Sequence, residues 1–340
     1  MSLGSDPSPV VAAPSPGAPD HRPVRAARFA LFTLVFNIGV ILWGAFVRAT
    51  GSGAGCGEHW PTCNGEVLPR AERLETLIEF THRATSGVAL LLVVALLVLA
   101  IRAFPPRHRA RRAAGATMVF MIGEALVGAL LVVNALVADN DSIARAAIMA
   151  VHLVNTFLLL GAMVLTWWYA RGAPGPDLRA AGKHRTLMAI ALLSALVLGA
   201  SGGITALGDT LFPAESLAEG FAQDLSPTAH ILIRLRVLHP LLAFLTAALG
   251  CAAAVSAAAR DASPVTRRAA AAVGLGFGVQ LVAGGLNLVL LAPVWMQLLH
   301  LLLADLVWMA LVVLAATSLA PPAPALRTGP HLEPGTPSPA

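Results

Sequence analysis

Four histidines carry the clearest chemical signal in this chain. His82, His152, His239 and His300 each lie near the start of an even-numbered apolar stretch. Ionisable side chains inside a bilayer are rare and costly, so four in register require a common cause. Imidazole nitrogen is a good axial ligand for haem iron, and two facing helices can each supply one. The four therefore read as two pairs and two haem sites. For any single histidine the competing reading is a hydrogen bond to a neighbouring helix or carbonyl.

Other reactive side chains cluster near these four. Glu79 and His82 sit three apart in Glu79-Phe80-Thr81-His82-Arg83, on one helix face. A carboxylate there can relay protons or stabilise a cationic intermediate; it can equally be an interfacial acid favoured at a helix start. Arg48, Arg83, Arg145, Arg234 and Arg236 lie on the side opposite the main basic loops. Haem propionates need cationic partners, and Arg suits carboxylates. The abundant loop acids are the competing partners. Cys56 and Cys63 share one polar loop. In an oxidising compartment they are expected to be joined, stabilising the loop by about 2–3 kcal/mol in the chain-entropy model. A structural bond and a redox-active pair both fit; a metal site with His59 fits less well. Cys251, inside an apolar stretch, reads as an inert thiol. Glu124 and Asp305 are intramembrane acids that either feed protons to a site or stay neutral and hydrogen-bonded. The tryptophans fit interfacial belts and core packing.

Composition sets the frame that must position these groups. The 340 residues are 57% hydrophobic and 12% charged, with mean hydropathy +0.75. A soluble domain carries about a quarter charged residues, so an all-α polytopic membrane protein is expected, its partner the lipid bilayer. The net charge of +5 is explained by topology signals, and no nucleic acid is implied. A crossing helix needs about 20 apolar residues. Eight such stretches occur, at 29–48, 77–101, 113–138, 144–170, 186–208, 232–259, 269–291 and 294–318. Pro293 splits the last two. Segments 1–24 and 320–340, rich in Pro and small residues, cannot bury a core and read as disordered tails. The first lacks the pattern of a cleaved signal peptide.

Lys and Arg concentrate around 22–28, 102–112, 171–185 and 260–268, and acids dominate the alternate loops. By the positive-inside rule both termini are cytoplasmic, and loops 49–76 and 209–231 lie outside. At 1.5 Å per residue, the histidines then fall about 5–10 Å below the outer boundary. The two halves look duplicated. Glu124-Ala-Leu-Val-Gly128 matches Gln280-Leu-Val-Ala-Gly284, and Thr50-Gly51-Ser52-Gly53 is set against Ser201-Gly202-Gly203. This implies two pseudo-repeated four-helix bundles, 25–171 and 186–319, joined by a cytoplasmic linker at 172–185, each with an inward His pair.

The residues also resemble a known family. Val47-Arg48-Ala49-Thr50-Gly51-Ser52-Gly53-Ala54-Gly55-Cys56, then Trp60-Pro61-Thr62-Cys63-Asn64-Gly65, is similar to the first outer loop of the haem A synthases of bacterial type. Glu79-x-x-His82-Arg83, the eight spans and the four histidines extend the likeness over about 29–318. The resemblance implies an oxidoreductase of the bacterial cell membrane, with its active site near the outer face. It would convert haem O to haem A by oxidising a ring methyl to a formyl group with a water-derived oxygen. It implies that His82 and His152 flank the substrate haem, that His239 and His300 ligate the iron of a haem b cofactor, and that Glu79 is the catalytic acid. Cys56 and Cys63 match the family's loop pair. Haem O synthase would supply substrate, a haem-copper oxidase or its assembly factors would receive product, and an unidentified electron donor would act. His239 is followed by Pro240 where His82 is followed by Arg83, so the halves are not equivalent. The rival readings are a diheme b-type electron-transfer protein and a haem transporter or chaperone. Four histidines at one depth disfavour an electron path across the membrane.

Overall fold

The computed structural model describes residues 21–70, 73–179 and 182–321. The tails read from the sequence fall mostly outside these, except that the first helix begins at Arg22, inside the stretch assigned to the N-terminal tail. Ten α-helices form among the described residues: α1 (Arg22–Ala49), α2 (Leu74–Ala103), α3 (Arg109–Val133), α4 (Ile143–Ala170), α5 (Gly182–Leu211), α6 (Leu217–Leu225), α7 (Ile231–Arg236), α8 (Leu238–Arg260), α9 (Pro264–Val289) and α10 (Val294–Ser318). Eight segments are long and apolar enough to cross a membrane, counting α7 and α8 together. The protein is an all-α multi-span membrane protein.

Helices α1 to α4 pack as one ring of four neighbours, and α5, α8, α9 and α10 as a second. The rings join through α4 against α5 and α10, and α1 against α10. The seam is apolar. Phe157 of α4 stacks on Trp308 of α10 at 5.4 Å, and the Trp308 indole N–H donates to the Phe157 carbonyl. Gly161 lies against the same indole, so α4 and α10 approach closely there.

The boundaries depart from the apolar stretches in instructive ways. The third span ends at Val133, not 138. Ala135 (φ 51°) turns the chain, and the Leu136 N–H reaches back to the Leu131 carbonyl at 2.8 Å. Helix α9 ends similarly: Leu291 has φ 58°, here followed by a second left-handed residue, Ala292 at φ 51°, and the Ala292 N–H donates to Asn287 O at 2.8 Å. This is the turn that normally places Gly in the left-handed position. Hydropathy cannot register it, because the turning residues are themselves apolar. The sixth span is interrupted at Val237, between α7 and α8. Pro240 explains the break: its ring clashes with the carbonyl four residues back, that of Arg236. Short helix α6 lies in the loop 212–230; the sequence reading did not anticipate it. Its cap, Ser216 accepting from the Glu219 N–H at 3.2 Å, was the available signal.

The candidate haem sites

Both histidine pairs assemble at the end of the molecule that carries loops 49–76 and 212–230. His239 and His300 have ring centres 6.5 Å apart with planes at 80°. An imidazole–metal bond is about 2 Å, so two axial rings on one ion stand about 6 Å apart at their centres. His82 packs against Gly44 of α1, and His152 against Glu124 of α3.

The packing beside the rings repeats. A Cβ on Gly44 of α1 would come within 2.8 Å of His82 Cε1, and one on Gly202 of α5 within 3.0 Å of His239 Cε1. Gly202 is thus the counterpart of Gly44, which corrects the sequence match of 201–203 to the glycines at 50–53. On the other side, Glu124 of α3 meets His152, Oε2 to Nε2 at 2.7 Å. Gln280 of α9 meets His300, Nε2 to Nε2 at 3.3 Å. The Glu124–Gln280 match read from sequence therefore marks residues in the same position. Glu124 Oε1 also accepts from Asn155 Nδ2 at 2.7 Å and from Thr156 Oγ1 at 3.1 Å. Ser201 Oγ sits 2.9 Å from His239 Nδ1.

These residues fit haem. The buried Nδ1 atoms of His82 and His300 have no hydrogen-bond partner, and Gly44, Gly202 and Gly284 let three of the four rings pack directly on a neighbouring helix. Among the described residues no three or more His, Cys, Asp or Glu side chains gather to hold a bare ion. A haem iron brings its own four ring nitrogens and asks the protein for only two ligands.

Glu79 is buried, at 3% exposure, and both its oxygens are held. Oε1 accepts from Arg83 Nε at 3.1 Å and from Nη2. Oε2 accepts from the Cys56 backbone N–H at 2.7 Å. A buried carboxylate without partners would be costly, and these donors offset that. Cys56 can reach because Gly55 lies on the first turn of α2, where any Cβ would fall 2.4 Å from the Glu75 carbonyl. Thr76 Oγ1 donates to Gly55 O at 2.8 Å. The loop is closed by the Cys56–Cys63 disulfide, as expected, and Arg83 Nη1 ties it further to the carbonyls of His59 and Thr62.

Three of the other four arginines are engaged elsewhere. Arg145 holds the α3–α4 turn through the carbonyls of Ala138 and Asn140. Arg236 pairs with Asp209 at 3.1 Å and Asp224 at 2.8 Å. Arg48 leaves its own bundle: Nη1 donates to Ala206 O and Thr210 Oγ1, both at 2.6 Å, and Nη2 to Gln297 Oε1 at 2.8 Å. Ser201, Thr210 and Gln297 were missed from sequence. Helical spacing was the signal, since Gln297 lies three before His300, and Ala206 and Thr210 lie four and eight after Gly202. Asp305 is buried with both oxygens lacking a hydrogen bond. Buried His184, unremarked in the sequence, ties Ser256 and Ser318 together at the far end.

The sequence is similar to proteins of two names. A "Protoheme IX farnesyltransferase" of Thermus thermophilus is 52% identical over 295 residues, 87% of this chain and 48% of the relative; its counterpart from a second strain of that species matches equally. The chain thus spans about half the length of these relatives. A "Heme A synthase" of Bacillus mycoides is 42% identical over 104 residues, 31% of this chain and 33% of that protein. Residues 27–312 match the model of the COX15-CtaA family, described as cytochrome oxidase assembly protein. With eight spans, two histidine pairs and a match over most of its length, the chain belongs to the COX15-CtaA family of cytochrome oxidase assembly proteins.

Proposed function

We propose that this chain is a haem A synthase that oxidises the ring methyl of haem O to a formyl group, with a haem b held by His239 and His300. The observation that carries this reading is the buried Glu79 carboxylate, one helical turn before His82 and pinned between Arg83 and the Cys56 N–H. Such a group offers a fixed negative charge beside the His82–His152 site. Haem b, when bound, supplies a one-electron redox centre.

The chain's own residues then divide the work. His82 and His152 orient the substrate haem. Glu79 stabilises positive charge near the reacting edge and takes up a proton at Oε2, exchanging its bond to the Cys56 N–H. The disulfide-closed loop covers this carboxylate and restricts water, which strengthens its field. Arg83 keeps Glu79 in place and compensates its charge.

The bacterial cytoplasmic membrane is the proposed location, with the sites near the outer face and both termini inside. Haem O from a prenyltransferase and delivery of product to a haem-copper oxidase complete the proposed setting. Farnesyl transfer, which names the Thermus relatives, we assign to the part of those proteins beyond the matched half.

Single-turnover incubation of the purified full chain with haem O, followed by extraction and mass analysis of its haems, tests the proposal. Haem A should appear while haem b is retained. Haem b alone, unchanged haem O and a reversible redox wave would identify an electron carrier instead.

A further inference from the structure

Arg48 rises from α1 four residues after Gly44, on the face that lies over His82. Its guanidinium nevertheless crosses the seam and binds three groups of the other bundle. Each belongs to the outward continuation of the His239–His300 site. Ala206 is one turn beyond Gly202, which touches His239; Thr210 is one turn further; Gln297 is one turn beyond His300. The repeat places Ala206 where Arg48 stands in the first bundle, so α5 has no arginine of its own there. Arg236, a second candidate cation in this bundle, is neutralised by Asp209 and Asp224. Arg48 makes no bond to a carboxylate among the described residues; its hydrogen bonds go to neutral oxygens.

We propose that Arg48, carried by the first bundle, is the positioning residue for the propionate carboxylates of the haem held by His239 and His300 in the second. Asp209, the neighbouring carboxylate, is hydrogen-bonded to Arg236 and not to Arg48, so the half-buried Arg48 guanidinium keeps a fork that suits an incoming carboxylate. The propionate carboxylates of a haem held by His239 and His300 would need a cationic partner, and Arg48 would supply one from the residues one and two turns outward of those histidines. The second site is then complete only when both bundles are docked. The inference rests on the haem reading of the His239–His300 pair.

The test is spectroelectrochemical titration of the purified full chain, following both haems. Arg48→Gln removes the cation while keeping a hydrogen-bonding side chain. It should lower the reduction constant of the His239–His300 haem about tenfold, or about 59 mV for one electron. Arg48→Lys should restore most of it, and the haem at His82–His152 should shift less than threefold. Thr210→Asp offers a second route that keeps Arg48: the new carboxylate engages it and should lower the same potential. Thr210→Val breaks one contact of the strut without changing charge and should leave the potential in place. No shift in Arg48→Gln or Thr210→Asp, a shift confined to the His82–His152 haem, or an equal shift in Thr210→Val would overturn the inference. If the wild-type chain holds no haem on His239 and His300, the underlying haem reading fails instead.

Discussion

The two bundles share a backbone plan and differ at several positions around it. In each, a glycine of the first helix lies under a histidine of the second, and the third helix ends in the same left-handed turn after contacting the histidine of the fourth. Three residues before the first histidine, one bundle has Glu79 and the other Arg236. One residue after it stand Arg83 and Pro240. Against the last histidine stand Glu124 and Gln280. The loops follow suit: donors from the disulfide loop satisfy Glu79, and acids from loop 212–230 and the end of α5 satisfy Arg236. The repeated plan gives two similar histidine pairs, and charge at a few positions makes their surroundings chemically unlike. The first holds a pinned acid and a carboxylate-bonded histidine; the second has neutral partners for both histidines. That asymmetry is what the proposed reaction asks for, one site to react and one to hold.

The strongest break of the comparison is removal of a ligand. His239→Ala or His300→Ala should strip the tightly held haem b, read from the haem-to-protein ratio of purified protein. His82→Ala or His152→Ala should leave that haem and abolish conversion of haem O. Loss of one and the same haem in all four variants would refute two distinct sites.

Glu79→Gln keeps shape and removes charge. Conversion should fall about 10²–10⁴-fold, the usual worth of a placed proton-transfer group, with haem spectra retained. Arg236→Gln, at the equivalent position, should change turnover far less. Equal effects would mean that the two positions are ordinary helix-start charges.

Glu124→Gln makes the first site resemble the second. A carboxylate partner raises the donor strength of a ligating histidine, so its loss should raise the potential of the His82–His152 haem, about tenfold in reduction constant or 59 mV. The reciprocal Gln280→Glu should lower that of the other haem. Redox titration of both variants checks the pair, and shifts of the same sign would break the analogy.

Smaller effects test the frame. Cys56→Ser/Cys63→Ser should cost the loop about 2–3 kcal/mol of stability, seen as faster proteolysis between 56 and 66 while the second bundle is untouched. Ala135→Gly and Leu291→Gly relieve left-handed backbone in the two equivalent turns. Each should stabilise by up to about 1 kcal/mol in detergent melts, offset in part by glycine's unfolded-state entropy. A gain in one and a loss in the other would show the turns to be only superficially alike.

Much of this was legible in the residues. The cost of an unsatisfied backbone in hydrocarbon forces helices wherever about 20 apolar residues run together, so the eight spans follow from composition along the chain. The register of His82, His152, His239 and His300, the Glu79–His82 spacing, the joined cysteines and the Glu124–Gln280 match are local facts, visible without contacts. Only the tertiary structure decided where long side chains end. Arg48 reads from sequence as a neighbour of the first site, yet its reach carries its charge across the seam to α5 and α10. Glu124 reads as a lone intramembrane acid, and packing of α3 on α4 makes it the partner of His152. The end of α3 at Val133 and the break before His239 were hidden for a related reason. Hydropathy averages over a window, whereas a turn or a proline clash is set by one residue and the carbonyl it meets.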